Sequence, residues 1–299
     1  MISYFDLHCD TLREAYLNNY NIFSSPLHIS LDKTKNFDKY IQITAIWSDC
    51  RFNDHDAYIL YEKILSYAKQ SGLEFAKSYN DLNDKSFILS IEDARIIEND
   101  LDRINKFHDD GVRFMTLNWS GETIIGGAWD TNASLSSLGK DAVLRCFDVG
   151  IIPDISHSSR KTTEAVMELS ANYNKPIIAS HSNSYSVCNH NRNLTDDEFS
   201  FFVKSNSIVG ISLCPSHLSN ENATINDVMK HIYHYLTLNG ENTISIGCDF
   251  DGVSSLPRGI SGISDIPRLY NEVSSLFGDI IAKKIFFKNA YNFMKENLR

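Results

Sequence analysis

The chain has 299 residues, of which 42% are hydrophobic and 22% are charged, as in ordinary globular proteins. Its 28 basic and 38 acidic residues give a formal net charge of −10, which argues against nucleic acid as a partner, because binding phosphates requires clustered Lys and Arg. No apolar run approaches the roughly 18 residues of a membrane helix, and neither end of the chain resembles a signal peptide or an anchor signal, so no membrane partner is expected.

Eight short apolar or β-branched runs alternate with longer helical patterns, which is typical of repeated βα units around a parallel sheet. The predicted strands span residues 2–8, 41–47, 86–92, 112–118, 151–157, 176–181, 207–213 and 244–249. Helices are predicted at 56–69, 95–108, 138–149, 161–171, 196–204 and 225–238, with two more after Asp265 and Asp279. Thr195 is the expected cap of the helix at 196–204, because acidic residues follow it.

This element count predicts an α/β fold, a (β/α)8 TIM barrel that forms a single domain over residues 1–299. A doubly wound open sheet is the competing architecture, although no G-x-G-x-x-G follows the first strand to support its nucleotide-binding form. The six cysteines are scattered without a CxxC pair. Reduced thiols and a cytoplasmic protein are therefore expected.

Side chains of the metal-ligand type lie where predicted strands end. They are His8 and Asp10 at the first strand, Glu92 at the third, His157 at the fifth, His181 at the sixth and Asp249 at the eighth. Because the carboxyl ends of barrel strands meet at one face, we expect these side chains to converge. Alternate residues of an extended strand share a face, so His8 groups with Asp10 and Asp249 with Asp251, whereas Cys9 and Cys248 turn towards the core.

Taken singly, these residues also have structural explanations. Glu92 would serve as an ion-pair partner for Arg95, and residues 249–252 would form a turn. Taken together, three histidines and several carboxylates without a cysteine favour zinc or a similar divalent ion. Five ligands are too many for one open tetrahedral site, so we expect two ions with a bridging carboxylate and a shared water or hydroxide as the nucleophile. Asp249 is then the candidate proton shuttle.

Seven sequence blocks carry a family resemblance, in the family's order along the chain. They are DLHCD at 6–10, SIE at 90–92, GVRFMTL at 111–117, DISHS at 154–158, SHSNSYS at 180–186, NRNLTDD at 191–197 and GCDFDGV at 247–253. With these blocks the chain resembles the membrane dipeptidase (renal dipeptidase) family of zinc metallopeptidases, in the amidohydrolase-like barrel superfamily.

The resemblance implies a role for each matching residue. His8 and Asp10 would bind one zinc ion, His157 and His181 the other, and Glu92 would bridge them. Arg192, which the residues alone would place at the surface, would bind the terminal carboxylate of a substrate through its guanidinium fork. Asp249 would move a proton from the attacking water to the leaving amine. Homodimers are also a family expectation.

Two stretches depart from the family pattern. Trp119 stands where well-known members carry a histidine near the scissile carbonyl, and an indole donates one hydrogen bond but cannot be protonated or bind metal. Trp119 is therefore expected to bind substrate with a different or weaker stabilisation of the transition state. The stretch at 210–217 lacks the Asn-Phe pair common after the seventh strand, and its His217 would either line the pocket or lie on the surface.

The sequence thus predicts a zinc-dependent dipeptidase that acts on small dipeptides through a hydroxide between two metal ions. The alternatives are a related amidase or deacylase acting on N-acyl amino acids, and a catalytically silent metal-binding homologue. A barrel metallo-nuclease is disfavoured, because such enzymes typically open with H-x-H and this chain has His8-Cys9-Asp10.

Overall fold

Eight parallel strands close into a barrel in the computed structural model, which describes residues 1–298. The strands are β1 Ile2–Asp6, β2 Phe37–Trp47, β3 Lys85–Glu92, β4 Val112–Thr116, β5 Ile152–Asp154, β6 Ile178–Ala179, β7 Ile208–Ile211 and β8 Ile244–Ile246. Asp6 of β1 pairs with Ile246 of β8 and completes the ring. The predicted single-domain TIM barrel is confirmed, and the open sheet is excluded. Arg299, at the end of the predicted domain, lies outside the described residues.

Helices surround the barrel. They are α1 Thr11–Leu17, α2 Asp54–Gln70, α3 Asp102–Asp110, α4 Ser137–Val149, α5 Arg160–Tyr173, α6 Asp196–Lys204, α7 Pro215–Leu218, α8 Ile225–Thr237, α9 Ile266–Phe277, α10 Asp279–Lys283 and α11 Asn289–Asn297. Thr195 caps α6 as predicted, because its side chain accepts from the Glu198 N–H while the Glu198 carboxylate accepts from the Thr195 N–H. Across residues 1–298, no helix combines the length and apolar character needed to cross a membrane.

Several strands end earlier than the sequence predicts. β5 stops at Asp154 and β8 at Ile246, so His157 and Asp249 lie beyond their strands. The reason is backbone conformation: His157 has φ 69° and Asp249 has φ 63°, in the left-handed region that no strand contains. The chain therefore turns sharply at both residues, three positions after the end of the strand that precedes each of them.

The predicted helix at 95–108 is interrupted. Residues Ala94–Ile97 form a single 3₁₀ turn, and α3 begins only at Asp102. Positive φ angles at Asp93 (77°) and Glu98 (51°) bound this turn and prevent a continuous helix. The turn holds the Arg95 guanidinium against the loop after β2, where it donates to the backbone oxygens of Ser48 and Asp49 at 3.1 and 2.6 Å. The short helices α1 and α7 have no counterpart among the predicted elements.

The amino end of the barrel is closed by α11. Its Phe293 and Met294, together with Leu298, are buried in one cluster with residues of the barrel strands. The strand residues of this cluster include Phe5, Ile41, Ile43, Ile88, Phe114, Ile152, Ile178 and Ile208. The Asn289 amide of α11 donates to the Ile244 carbonyl at 2.7 Å, which attaches the helix to the start of β8. Within residues 1–298, the barrel interior is therefore closed at its amino end, opposite the strand ends where the predicted ligand residues lie.

Candidate functional site

Four of the predicted ligand residues meet around Glu92 at the carboxyl end of the barrel. His8 Nε2 lies 3.7 Å from Glu92 Oε2 and 3.3 Å from Asp10 Oδ2. On the other side, Glu92 Oε1 lies 3.0 Å from His157 Nε2 and 3.7 Å from His181 Nε2. One oxygen of the Glu92 carboxylate therefore faces His8, and the other faces His157 and His181.

The ligand atoms form overlapping groups within which all atoms lie inside 4.8 Å of one another. One group contains His8, Asp10 and Glu92, and a second contains Glu92, His157 and His181. Glu92 is the member common to both. A third group joins Asp249 to His8 and His181, so the geometry alone leaves Asp249 available as a ligand or as a free acid.

The donor set fits a divalent metal. His157 Nε2 and His181 Nε2 lie only 2.9 Å apart, and His157 Nδ1 is 3.0 Å from the Trp119 carbonyl oxygen. A carbonyl only accepts, so the His157 proton lies on Nδ1 and its Nε2 presents a lone pair. Burial lowers the pKa of both histidines well below the ordinary value, which keeps them neutral. Facing imidazole nitrogens of this kind are satisfied by a cation.

Charge crowding on the carboxylate side supports the same conclusion. Burial, followed by the charge of Asp10, raises the pKa of Glu92 well above its usual range. Asp10 Oδ1 is buried without a hydrogen-bond partner among the described residues. Gly252 approaches these acids closely, since a Cβ there would lie 2.3 Å from both Asp10 Oδ2 and Asp249 Oδ1. Only glycine leaves the carboxylates free to face a ligand.

Asp249 and Arg192 flank the cluster. Asp249 Oδ1 lies 3.9 Å from His8 Nε2, and burial raises the pKa of this carboxyl to about 7. Arg192 is not at the surface, because only 4% of the residue is exposed. Its Nε and Nη2 have no hydrogen-bond partner within residues 1–298. These two nitrogens form one edge of the guanidinium fork, which matches a carboxylate in a bidentate way.

Both residues line a cavity of about 270 Å³ at the carboxyl end of the barrel, here called the site pocket. All three tryptophans of the chain, Trp47, Trp119 and Trp129, also line it. The Trp119 ring lies 4.6 Å from that of Trp47 and 5.9 Å from that of His157, measured between centroids. His217, whose position the sequence left open, is a buried lining residue of the same pocket.

Other residues singled out in the sequence have structural roles. The Asp251 carboxylate accepts from Thr11 Oγ1 at 2.6 Å and from the His28 N–H at 2.7 Å, so it anchors loops. Arg95 pairs with Asp54 and Asp93 rather than with Glu92. Cys9 and Cys248 are buried in the hydrophobic core, as predicted.

The sequence reasoning missed the tryptophans at residues 47 and 129. Trp47 is the last residue of β2, and the rule that strand ends build the site would have found it. Trp129 lies in the loop between β4 and α4, where no periodicity marks it. Its backbone N–H donates to the His157 backbone carbonyl at 2.8 Å, which brings the loop to the site.

Known structures share this fold. The crystal structure of the dipeptidase AC, a metallopeptidase of family M19, has a TM-score of 0.90 at 23% identity, covering 99% of this chain and 98% of that one. A metallopeptidase from Rhodobacter sphaeroides, liganded with a phosphinate mimic of the dipeptide L-Ala-D-Ala, has a TM-score of 0.89 at 23% identity, covering 99% of each chain.

Sequence comparison gives the family. An uncharacterized dipeptidase of Schizosaccharomyces pombe is 30% identical over 220 residues, which are 71% of this chain. The match spans about half (52%) of that protein's length. The family model described as "Membrane dipeptidase (Peptidase family M19)" matches residues 1–298. The chain therefore belongs to the membrane dipeptidase family, peptidase family M19.

Proposed function

We propose that this chain is a dipeptidase that hydrolyses the amide bond of small dipeptides with two zinc ions bound. The observation that carries the proposal is the pair of ligand groups that share Glu92, which lines the same pocket as Arg192. Within residues 1–298, Nε and Nη2 of Arg192 have no hydrogen-bond partner. The dipeptide mimic bound by the Rhodobacter sphaeroides metallopeptidase and the dipeptidase name of the Schizosaccharomyces pombe relative support it.

The five clustered residues would hold the metal. His8 and Asp10 would bind one ion, His157 and His181 the other, and Glu92 would bridge them. Imidazole nitrogens and carboxylate oxygens without thiolates suit zinc. When bound, the ions supply Lewis-acid polarisation of a carbonyl and a water that loses its proton near neutral pH.

The remaining polar residues of the pocket would position the substrate and move the proton. Arg192 would bind the substrate's terminal carboxylate, which favours dipeptides because their carboxylate lies one residue from the scissile amide. Asp249 would accept the proton of the attacking water and deliver it to the leaving nitrogen, a task suited to an acid with a pKa of about 7. Trp119 would pack against the substrate over His157 and exclude water.

The compartment and assembly are part of the same proposal. All six cysteines are free, and Cys9, Cys146, Cys188 and Cys248 are buried. Unlinked thiols support a reducing compartment, the cytoplasm. The homodimer and the domain extent of residues 1–299 stay predictions from the sequence.

Metal analysis together with a substrate panel tests the function. We expect the purified protein to hold two zinc equivalents per chain and to cleave members of a panel of L,L and L,D dipeptides. The Arg192→Lys variant keeps the charge but loses the fork, so we expect KM for dipeptides to rise about tenfold with a smaller change in kcat. A fully loaded protein that cleaves no dipeptide would contradict the proposal.

The alternative of an amidase acting on N-acyl amino acids is tested in the same assay. Such substrates also present a carboxylate to Arg192, but they lack the free amino group of a dipeptide. Cleavage of N-acyl amino acids with no cleavage of dipeptides would replace the proposed function by that alternative. Two zinc equivalents with neither activity would indicate the silent metal-binding homologue.

A further inference from the structure

Asp154, the last residue of β5, is a buried carboxylate close to the proposed metal ligands, since it bonds the residue that precedes His181. Its Oδ1 accepts the backbone N–H of Ser156 at 2.9 Å and that of Ser180 at 3.0 Å. Its Oδ2 accepts the hydroxyl of Thr116 at 2.9 Å and the hydroxyl of Ser180. Only 2% of the residue is exposed, and it takes no part in the proposed chemistry.

Ser180 connects this carboxylate to a proposed metal ligand. Its Oγ lies 2.7 Å from His181 Nδ1 and is also hydrogen-bonded to Asp154 Oδ2. A carboxylate can only accept, so the single hydroxyl hydrogen of Ser180 points to Asp154. The Ser180 hydroxyl could also donate to Ser156 Oγ, but that distance is longer, at 3.4 Å. Ser180 Oγ must therefore accept from His181 Nδ1–H.

We propose that Asp154 is a positioning residue that fixes the tautomer of His181 through the hydroxyl of Ser180. With the proton held on Nδ1, the lone pair of His181 Nε2 faces Glu92 and His157, where the metal would bind. This inference rests on the metal centre of the proposed function. His157 reaches the same tautomer differently, because its Nδ1–H donates directly to the Trp119 carbonyl.

The Asp154→Asn substitution would reverse this relay. The two backbone N–H groups that meet Oδ1 require the amide oxygen there, so the amide NH₂ would occupy the place of Oδ2. It would donate to Ser180 Oγ, and the hydroxyl hydrogen would turn towards His181 Nδ1. His181 would then carry its proton on Nε2, the atom required for the metal.

The test compares four variants by zinc affinity, using competition with a chromophoric chelator. We expect Asp154→Asn to weaken the binding of one of the two zinc ions by about 10- to 100-fold. Ser180→Ala removes the restraint without reversing it, so its loss is smaller. The other two variants are controls. Thr116→Val deletes another hydrogen bond to the same Asp154 oxygen. Asp6→Asn removes an equally buried strand-end carboxylate that has no hydroxyl relay to a histidine. Both controls are expected to change the affinity by less than the Ser180→Ala variant.

Histidine ring ¹⁵N NMR gives a second readout. We expect His181 of the metal-free wild type to be protonated on Nδ1 and that of Asp154→Asn on Nε2, with circular dichroism unchanged. Equal affinity losses in Asp154→Asn and Asp6→Asn, or an unchanged His181 tautomer in Asp154→Asn, would overturn the relay. A wild-type chain that binds no zinc would contradict the proposed function itself, whereas the tautomer measurement would still decide the relay.

Discussion

Asp249 and His157 each follow a barrel strand, and each has a left-handed backbone conformation. The proposal nevertheless gives their side chains different tasks. If Asp249 moves the proton, Asp249→Asn keeps both zinc equivalents and loses most turnover, by about 100-fold or more in kcat. His157→Ala removes one nitrogen donor, so we expect it to lose at least one zinc equivalent. The two measurements are zinc content per chain and kcat for a cleaved dipeptide.

The comparison is informative because Asp249 also groups with His8 and His181 in ligand geometry. Equal zinc loss in Asp249→Asn and His157→Ala would identify Asp249 as a ligand rather than as a proton shuttle. Zinc retention with full turnover in Asp249→Asn would remove it from the chemistry.

The residues of the site were predictable to the extent that strand ends mark them. His8, Asp10, Glu92, His157 and His181 lie together because each follows or ends a barrel strand. Arg192 lies in a loop between β6 and α6, and its type and spacing predict a surface position, so only the family resemblance pointed to it. Asp251 was predicted to share a face with Asp249, but it anchors loops instead. Alternation along a strand does not apply at Asp251, because the backbone turns there with φ 65°.

At the scale of elements, His231 connects α8 to α7 and to the loop between β6 and α6. Its Nδ1 accepts the Ser184 N–H at 3.1 Å, and its Nε2 lies 3.0 Å from the Leu218 carbonyl, to which it donates. Burial lowers the pKa of His231 to about 4, against an ordinary value of 6.5, despite the opposing Leu218 carbonyl and the nearby Asp227. The side chain is therefore neutral in the folded protein down to acidic pH.

The free energy of unfolding depends on pH because His231 binds a proton at a higher pH in the unfolded chain than in the folded protein. Above pH 6.5 His231 is neutral in both states, and its full contribution to stability is present. As the pH falls towards 4, the unfolded chain gains a proton that the folded protein cannot accept, and stability is lost. Between pH 7.5 and pH 5.0 this loss is about 2 kcal/mol.

We expect His231→Gln to reduce that pH-dependent loss by about 2 kcal/mol, because glutamine forms both hydrogen bonds without titrating. The measurement is urea unfolding at the two pH values and one fixed free zinc concentration. Asn226→Gln is the matched control, because Asn226 is exposed on the same helix and has no titratable group, so its replacement should leave the pH dependence unchanged. An unchanged slope in His231→Gln would contradict the buried neutral state.

The elements also show what periodicity cannot supply. Alternating apolar runs located all eight strands, and the cap at Thr195 fixed the start of α6. The break between 95 and 108 was not predictable, because it depends on positive φ at Asp93 and Glu98 and on backbone oxygens that reach Arg95 from a distant loop. Such a break is a tertiary effect that overrides helical propensity.

At the scale of the whole molecule, α11 seals the barrel at the end opposite the site. Phe293 is 4% exposed within the cluster that fills the barrel interior. We expect Phe293→Ala to lower the free energy of unfolding by about 3 to 5 kcal/mol, because it leaves a cavity there. The zinc content of the folded fraction should stay at the wild-type value, since the change is remote from the ligands.

Phe23→Ala is the control for this substitution, because 46% of Phe23 is exposed. We expect it to cost under about 1 kcal/mol in the same urea titration. A similar cost for the two variants would mean that α11 contributes little beyond an average surface contact. Zinc loss from folded Phe293→Ala would mean that the two ends of the barrel are coupled.

The closure of the barrel by α11 also limits how substrate enters the site and how products leave it. Because the barrel interior is filled at its amino end, no path runs through the barrel, and substrate and products both exchange with solvent at the carboxyl face. An amino acid released from the carboxyl side keeps the carboxylate that Arg192 is proposed to bind. Accumulating product would therefore compete with incoming dipeptide, raising the apparent KM and leaving kcat unchanged.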